Sequence, residues 1–187
     1  MWPRLPILIR EFKIFAPHIL YMGHSVLVNK KVGKVEQYES LYPQLQALLH
    51  GEQDDIANMA NICAALKEVF DFFWVGFYRV LPSGNMQELV LGPFQGPVAC
   101  TRIAFGKGVC GTAWQQEKTL LVPDVELFPG HIACSALSRS EIVVPVFDAG
   151  KVVAVLDVDS TVTNDFDETD KLFLEKIASL VKQKQGK

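Results

Sequence analysis

The sequence predicts an α+β fold: a central antiparallel β-sheet with helices from the N- and C-terminal parts of the chain packed on one face. Three observations point there. Residues 38–70 place apolar side chains at helical spacing, and residues 72–159 read as short β-branched and aromatic runs divided by turn signals. Helical spacing then returns after Asp167. The 187 residues, 49% hydrophobic and 21% charged, suffice for one well-buried core. They divide into an N-terminal extension over 1–34, expected to be flexible or outside the core, and a single domain over 35–184.

The first helix follows from Tyr38, Leu41, Leu45, Leu48 and Leu49, with Gly51 as its stop. Pro43 lacks a backbone donor, so a break and restart are expected there. Asp54 or Asp55 caps a second helix whose inner stripe is Ile56, Met59, Cys63, Leu66 and Phe70. Cys63, lying on that stripe, reads as a small buried hydrophobe. FFWVGFYRV and ELVLGPF, parted by Pro82-Ser83-Gly84-Asn85, form a hairpin, and ACTRIAF is a third strand. A short helix over 112–117, a strand TLLVPD and a long connection over 127–140 come next. EIVVPVF and KVVAVLDVD, joined by Asp148-Ala149-Gly150, make a second hairpin. Asp167 caps a last helix carrying Phe173, Ile177, Leu180 and Val181.

Composition excludes several classes. A net charge of −3 gives no general attraction to nucleic acid or an anionic membrane. The basic first 34 residues hold an uncharged run from Ile14 to Asn29, short of a span of about 20 residues and broken by Pro17. Arg10 and Lys13 interrupt any signal-peptide pattern. Four cysteines without C-x-x-C spacing are too few for a disulfide-dense secreted fold, so a reducing, cytoplasmic setting with reactive thiols is expected.

The candidate chemistry lies in the second half of the chain. Gly106-Lys107-Gly108-Val109-Cys110-Gly111 spells G-x-G-x-x-G, but a dinucleotide site needs a parallel strand–helix–strand crossover, and the helix here is too short for one. Cys100, Cys110 and Cys134 fall within 35 residues of one another. Cys110 stands just before the short helix, whose N-terminal amides favour a thiolate, and His131 favours one at Cys134. Zinc held by Cys100, Cys110, His131 and Cys134 is the rival reading, weakened because only His131 and Cys134 are closely spaced. No metal and no cofactor is expected. Asp157 and Asp159, with Val153 and Val155, share one face of their strand, and Glu141 begins the partner strand. Like charges so close cannot all ionise, so such a group can hold a cation or donate a proton. Trp74 and Tyr78 share a face of a regular strand and can wall an apolar pocket.

The strings FWVGFY, LVLGPFQGPVACTRI, GKGVCGTAW, VPDVELFPGHIAC, SRSEIVVPVF and VLDVDS together resemble the free methionine-(R)-sulfoxide reductases, which are GAF-domain enzymes. The resemblance runs from about Tyr38 to Val181. It implies a GAF-like fold and a thiol-dependent oxidoreductase that reduces free L-methionine (R)-S-oxide. Cys134 is then the nucleophile, Cys100 the resolving thiol and Cys110 an auxiliary one. Glu141, Asp157 and Asp159 bind substrate and donate a proton, and Trp74 and Tyr78 enclose the methylthio end. The resemblance further implies a sulfenic acid intermediate, an intramolecular disulfide recycled by thioredoxin, a homodimer and a role under oxidative stress. The alternative is a non-catalytic GAF module that senses a small ligand, which gives no reason for clustered thiols.

Overall fold

The computed structural model describes residues 26–132 and 134–182. Four α-helices, α1 (Lys34–Leu48), α2 (Asp55–Phe70), α3 (Gly108–Gln116) and α4 (Glu168–Ser179), surround six strands. The strands are β1 (Trp74–Ser83), β2 (Met86–Gln95), β3 (Arg102–Ala104), β4 (Leu120–Val122), β5 (Ser140–Asp148) and β6 (Lys151–Ser160). They form one sheet in the order β3-β2-β1-β6-β5-β4, with every pair antiparallel. Two hairpins, β1–β2 and β5–β6, thus meet along β1 and β6, and the short β3 and β4 finish the edges.

Side-chain alternation divides the sheet into two apolar layers. On one face Val75, Phe77, Ile142, Val144, Leu156 and Val158 pack under α1, α2 and α4. On the other, Trp74, Tyr78, Val143 and Val155 meet Val109, Cys110, Ala113 and Trp114 of α3. The terminal helices therefore share one face, as the periodicity requires, and α3 covers the opposite one.

Caps fix the helix ends. Asp54 Oδ1 accepts from the backbone N–H of Ile56 (2.8 Å) and Ala57 (3.0 Å) at the start of α2. Asp167 accepts from the N–H of Thr169 and Asp170 at the start of α4, and Asp170 Oδ2 accepts from the Asp167 N–H in return. Asp170, almost fully buried, also receives the Lys34 ammonium (2.6 Å) and the Tyr38 hydroxyl (2.9 Å), which ties α1 to α4.

Four local expectations change. Helix α1 runs unbroken through Pro43, because Pro43 and Glu39, whose carbonyl loses its partner, are both exposed to water. Buried Tyr38, Leu41 and Leu45 hold the helix in place. Ile56 is exposed on the outer side of α2, and the buried stripe runs through Met59, Ile62, Cys63, Leu66 and Val69. Val153 does not share a face with Asp157: the β5–β6 register shifts beside Val146 and Phe147, and this bulge turns Val153 toward the helix layer. Helix α3 begins at Gly108, four residues before the expected start. Its approach to β3 is so close that a Cβ on Gly111 would stand 2.4 Å from the Ala104 carbonyl oxygen. Of the expected extension, residues 26–34 are described; Val26 and Val28 lie partly buried against the helix-side core, and residues 1–25 lie outside the described residues.

Candidate active site

The register of three central strands assembles the site. Glu141, Asp159 and Trp74 are cross-strand neighbours in one row, and Val143, Asp157 and Gly76 form the row two residues along. All of these positions face α3, away from the terminal helices. The Trp74 indole folds over Gly76, where a Cβ would stand 2.4 Å from its Cη2 atom. That ring stacks on Phe94 (centroids 5.5 Å apart) and Tyr78 (5.9 Å). The indole N–H donates to the Pro97 carbonyl at 3.0 Å and the Tyr78 hydroxyl to the Cys100 carbonyl at 3.1 Å. The aromatics are thereby fixed to the connection that carries Cys100.

These groups enclose a cleft of about 550 Å³, counting its open mouth. Trp74 and Tyr78 form one wall, the first turn of α3 another, and Glu141, Asp157 and Asp159 contribute the acidic surface. His131, Ile132, Cys134, Ser135 and Ser138, from the connection before β5, complete the lining. Among the described residues, no lysine or arginine lines the cleft.

Burial dominates the electrostatics. Glu141 and Asp157 are each only 6% exposed, and burial pushes both carboxyls well above the usual carboxylate range, with repulsion between neighbouring acids adding to it. Asp157 Oδ1 is buried without a hydrogen-bond partner among the described residues. Asp159 is pushed up to about 6 by burial, against a hydrogen bond from Ser138 that favours its ionised form. The three carboxyls therefore titrate as a coupled group, each ionising less readily than a solvated carboxylate. His131 Nε2 lies 4.0 Å from Glu141 Oε2, but burial holds the imidazole below its usual value, so the contact is not an ion pair at pH 7.

The structure separates the cysteines into three settings. Cys100 and Cys134, 34 residues apart in sequence, are joined by a disulfide with Cα atoms 5.4 Å apart. That bond takes two of the four ligands of the zinc set considered from sequence. Cys110 is not ahead of a helix but is the third residue of α3, buried, with Sγ 3.9 Å from Glu141 Oε1. Burial and then the negative charge of Asp157 and Glu141 push its thiol well up. At Cys110, desolvation beside the acids opposes the thiolate that the helix amides favour. Cys63 lies in the helix-side core, its Sγ donating to the Pro93 carbonyl at 3.4 Å, and burial pushes it up to about 12. The G-x-G-x-x-G segment leads into α3, yet no parallel strand pair occurs among the described residues, so no dinucleotide crossover exists there.

Every sequence-selected site residue therefore falls in or beside one cleft. Ser135, Ser138 and Gly76 were not selected. The serines lie in an irregular connection with no periodic signal, whereas a glycine inside a strand is itself a sign of close approach.

The GAF domain profile matches residues 56–184. GAF domain-containing protein A of Dictyostelium discoideum is 63% identical over 151 residues, spanning 81% of this chain and 94% of its own. The free methionine-R-sulfoxide reductase of Saccharomyces cerevisiae is 41% identical over 170 residues, or 88% of this chain and 92% of its own. Among solved structures, the free methionine-R-sulfoxide reductase from Neisseria meningitidis, in complex with its substrate, superposes with a TM-score of 0.80 at 50% identity. That match covers 85% of this chain and 93% of the other.

Proposed function

The chain belongs to the GAF-domain family of free methionine-R-sulfoxide reductases, and we propose that it reduces free L-methionine (R)-S-oxide to L-methionine with a cysteine thiolate as nucleophile. The observation that carries this reading is the Cys100–Cys134 bond beside a cleft lined by the buried acids Glu141 and Asp157, whose carboxyls burial pushes up.

Cys134, which lines the cleft, attacks the electrophilic sulfoxide sulfur in its reduced, ionised form. The sulfoxide oxygen needs a proton to depart, and Glu141 or Asp157, kept neutral in a buried site, supplies it. Methionine leaves as the sulfide, and Cys134 retains the oxygen as a sulfenic acid. The Cys100 thiol condenses with it, forming the disulfide and releasing water. A dithiol reductant, thioredoxin, then exchanges with the bond, becomes oxidised itself and regenerates both thiols. Cys110 remains an un-ionised auxiliary thiol, consistent with its raised value.

Asp159 and whichever neighbour is ionised hold the substrate's α-ammonium, and the Trp74–Tyr78 wall holds its methylthio end. A methionine within a polypeptide lacks that ammonium, which explains a preference for the free amino acid. We further assign residues 35–184 to a single catalytic domain acting in the cytoplasm as a homodimer, with no nucleic-acid or membrane partner. Among the described residues, no helix is long and apolar enough to cross a membrane.

The test is NADPH consumption coupled through thioredoxin. Wild-type protein turns over free, but not peptide-bound, methionine sulfoxide. Cys134→Ser gives no turnover, and Cys100→Ser releases about one methionine per chain before stalling. A Cys100→Ser protein that cycles normally removes the resolving role, and a wild-type protein inert toward the free sulfoxide overturns the function.

A further inference from the structure

Cys110, Glu141 and Asp157 each direct one ligand-type atom into the base of the cleft, and these atoms all lie within 4.8 Å of one another. Zinc bonds of about 2.3 Å to sulfur and about 2.1 Å to oxygen, set tetrahedrally, place the sulfur and oxygen about 3.6 Å apart. Cys110 Sγ is already 3.9 Å from Glu141 Oε1. Asp157 Oδ1, buried and without a hydrogen-bond partner among the described residues, is free to take a third position. The fourth position is left to a water molecule, as in zinc sites with three protein ligands.

We propose that Cys110, Glu141 and Asp157 form an inhibitory binding site for a thiophilic divalent cation, Zn²⁺, in the substrate-free cleft. A site combining a thiol with two carboxylates favours zinc over magnesium or calcium, which take oxygen ligands alone. Zinc binding releases any protons its ligands carry, and among the described residues no lysine or arginine lines the cleft to oppose a second positive charge. The occupied site removes both the proton donor and the ammonium-binding carboxylates, so the cation and the amino-acid substrate exclude each other. Cys110 takes no part in the Cys100–Cys134 bond, so the site persists in the oxidised protein. The inhibitory consequence rests on the reductase reading; the metal site does not.

Titrating the full chain, oxidised and metal-free, with Zn²⁺ against a chromophoric chelator tests this. One equivalent per chain is expected, and Co²⁺ in its place gives a thiolate-to-cobalt charge-transfer band. Cys110→Ser abolishes that band and weakens zinc at least about tenfold, and Asp157→Asn weakens zinc similarly. The Cys100→Ser/Cys134→Ser double variant retains both signals. Free methionine sulfoxide raises the zinc concentration needed for half-occupancy. No uptake by oxidised wild type overturns the site. Uptake that appears only on reduction and vanishes in the double variant also overturns it, since the metal then sits on the Cys100 and Cys134 thiols. Zinc bound as described in a protein without reductase activity would defeat the function alone; reductase activity without zinc uptake would defeat the site alone.

Discussion

Gly76→Ala is the most direct test of how the cleft wall is built. The new Cβ would lie 2.4 Å from Trp74 Cη2, 2.8 Å from Cζ3 and 2.5 Å from Phe94 Cβ. Non-bonded carbons rest about 3.5–4.0 Å apart, so the indole has to retreat by roughly 1.1–1.6 Å. Phe94 is the β2 register partner of Gly76, so its Cβ cannot retreat without moving backbone. Overpacking of this kind costs about 1–3 kcal/mol, read as a lowered urea midpoint at unchanged slope. A wall displaced by an ångström lowers kcat/KM toward free methionine sulfoxide by about 10–100-fold, mainly through KM. Trp74→Phe deletes the two offending ring atoms, so the double variant should recover part of the loss, with a coupling of about 0.5–3 kcal/mol. If Gly76→Ala keeps wild-type stability and kcat/KM, or if the two substitutions simply add, the packing argument fails.

Three further outcomes follow from the electrostatics and the caps. Asp159, pushed up to about 6, sets a rising limb: kcat/KM climbs as pH passes that value and the ammonium-binding carboxylate ionises. Asp159→Asn flattens the limb, and an unchanged limb would assign it to another group. Carboxyls raised by burial favour folding most below their unfolded values, and that contribution is lost as pH rises through their folded values, for Asp159 from 3.8 to about 6. Substrate-free Asp157→Asn is therefore more stable than wild type at pH 7, by about 0.5–2 kcal/mol, with the gap narrowing toward pH 4. A variant less stable at pH 7 would show that the acids are not mutually strained. Tyr38→Phe, on the opposite face, removes a 2.9 Å hydrogen bond to Asp170 and costs about 1.5–3 kcal/mol in urea unfolding with kcat/KM unchanged. A loss below about 0.5 kcal/mol would mean that Lys34 and the Asp167 N–H satisfy Asp170 unaided.

Much of this architecture is readable from period alone. The two long hairpins announce themselves through alternation and through Gly84-Asn85 and Ala149-Gly150, and alternation places Asp157 and Asp159 on one face before any coordinates exist. What the period hides is where geometry departs from ideal. The bulge beside Phe147 reverses the facing of Val153, and no residue near it marks the extra position. Helix α3 begins among glycines of low helix propensity because Val109, Ala113 and Trp114 bury against the sheet, a tertiary reward that local propensity does not contain. That early start moves Cys110 from a helix threshold into a buried wall and reverses the direction of its acidity. The pairing of Cys100 with Cys134 likewise depends on two irregular connections, for which the family resemblance, not spacing, supplied the expectation.

The margins of the sheet carry a consequence for self-association. β3 and β4, which finish its two sides, are each three residues long. A neighbour laddering onto β3 or β4 finds only those few rungs, which blunts edge-to-edge propagation, the route toward fibrous aggregates, at those strands. A second copy that met this chain through side-chain surfaces instead would leave the hydrogen-bonded framework beneath the cleft undisturbed.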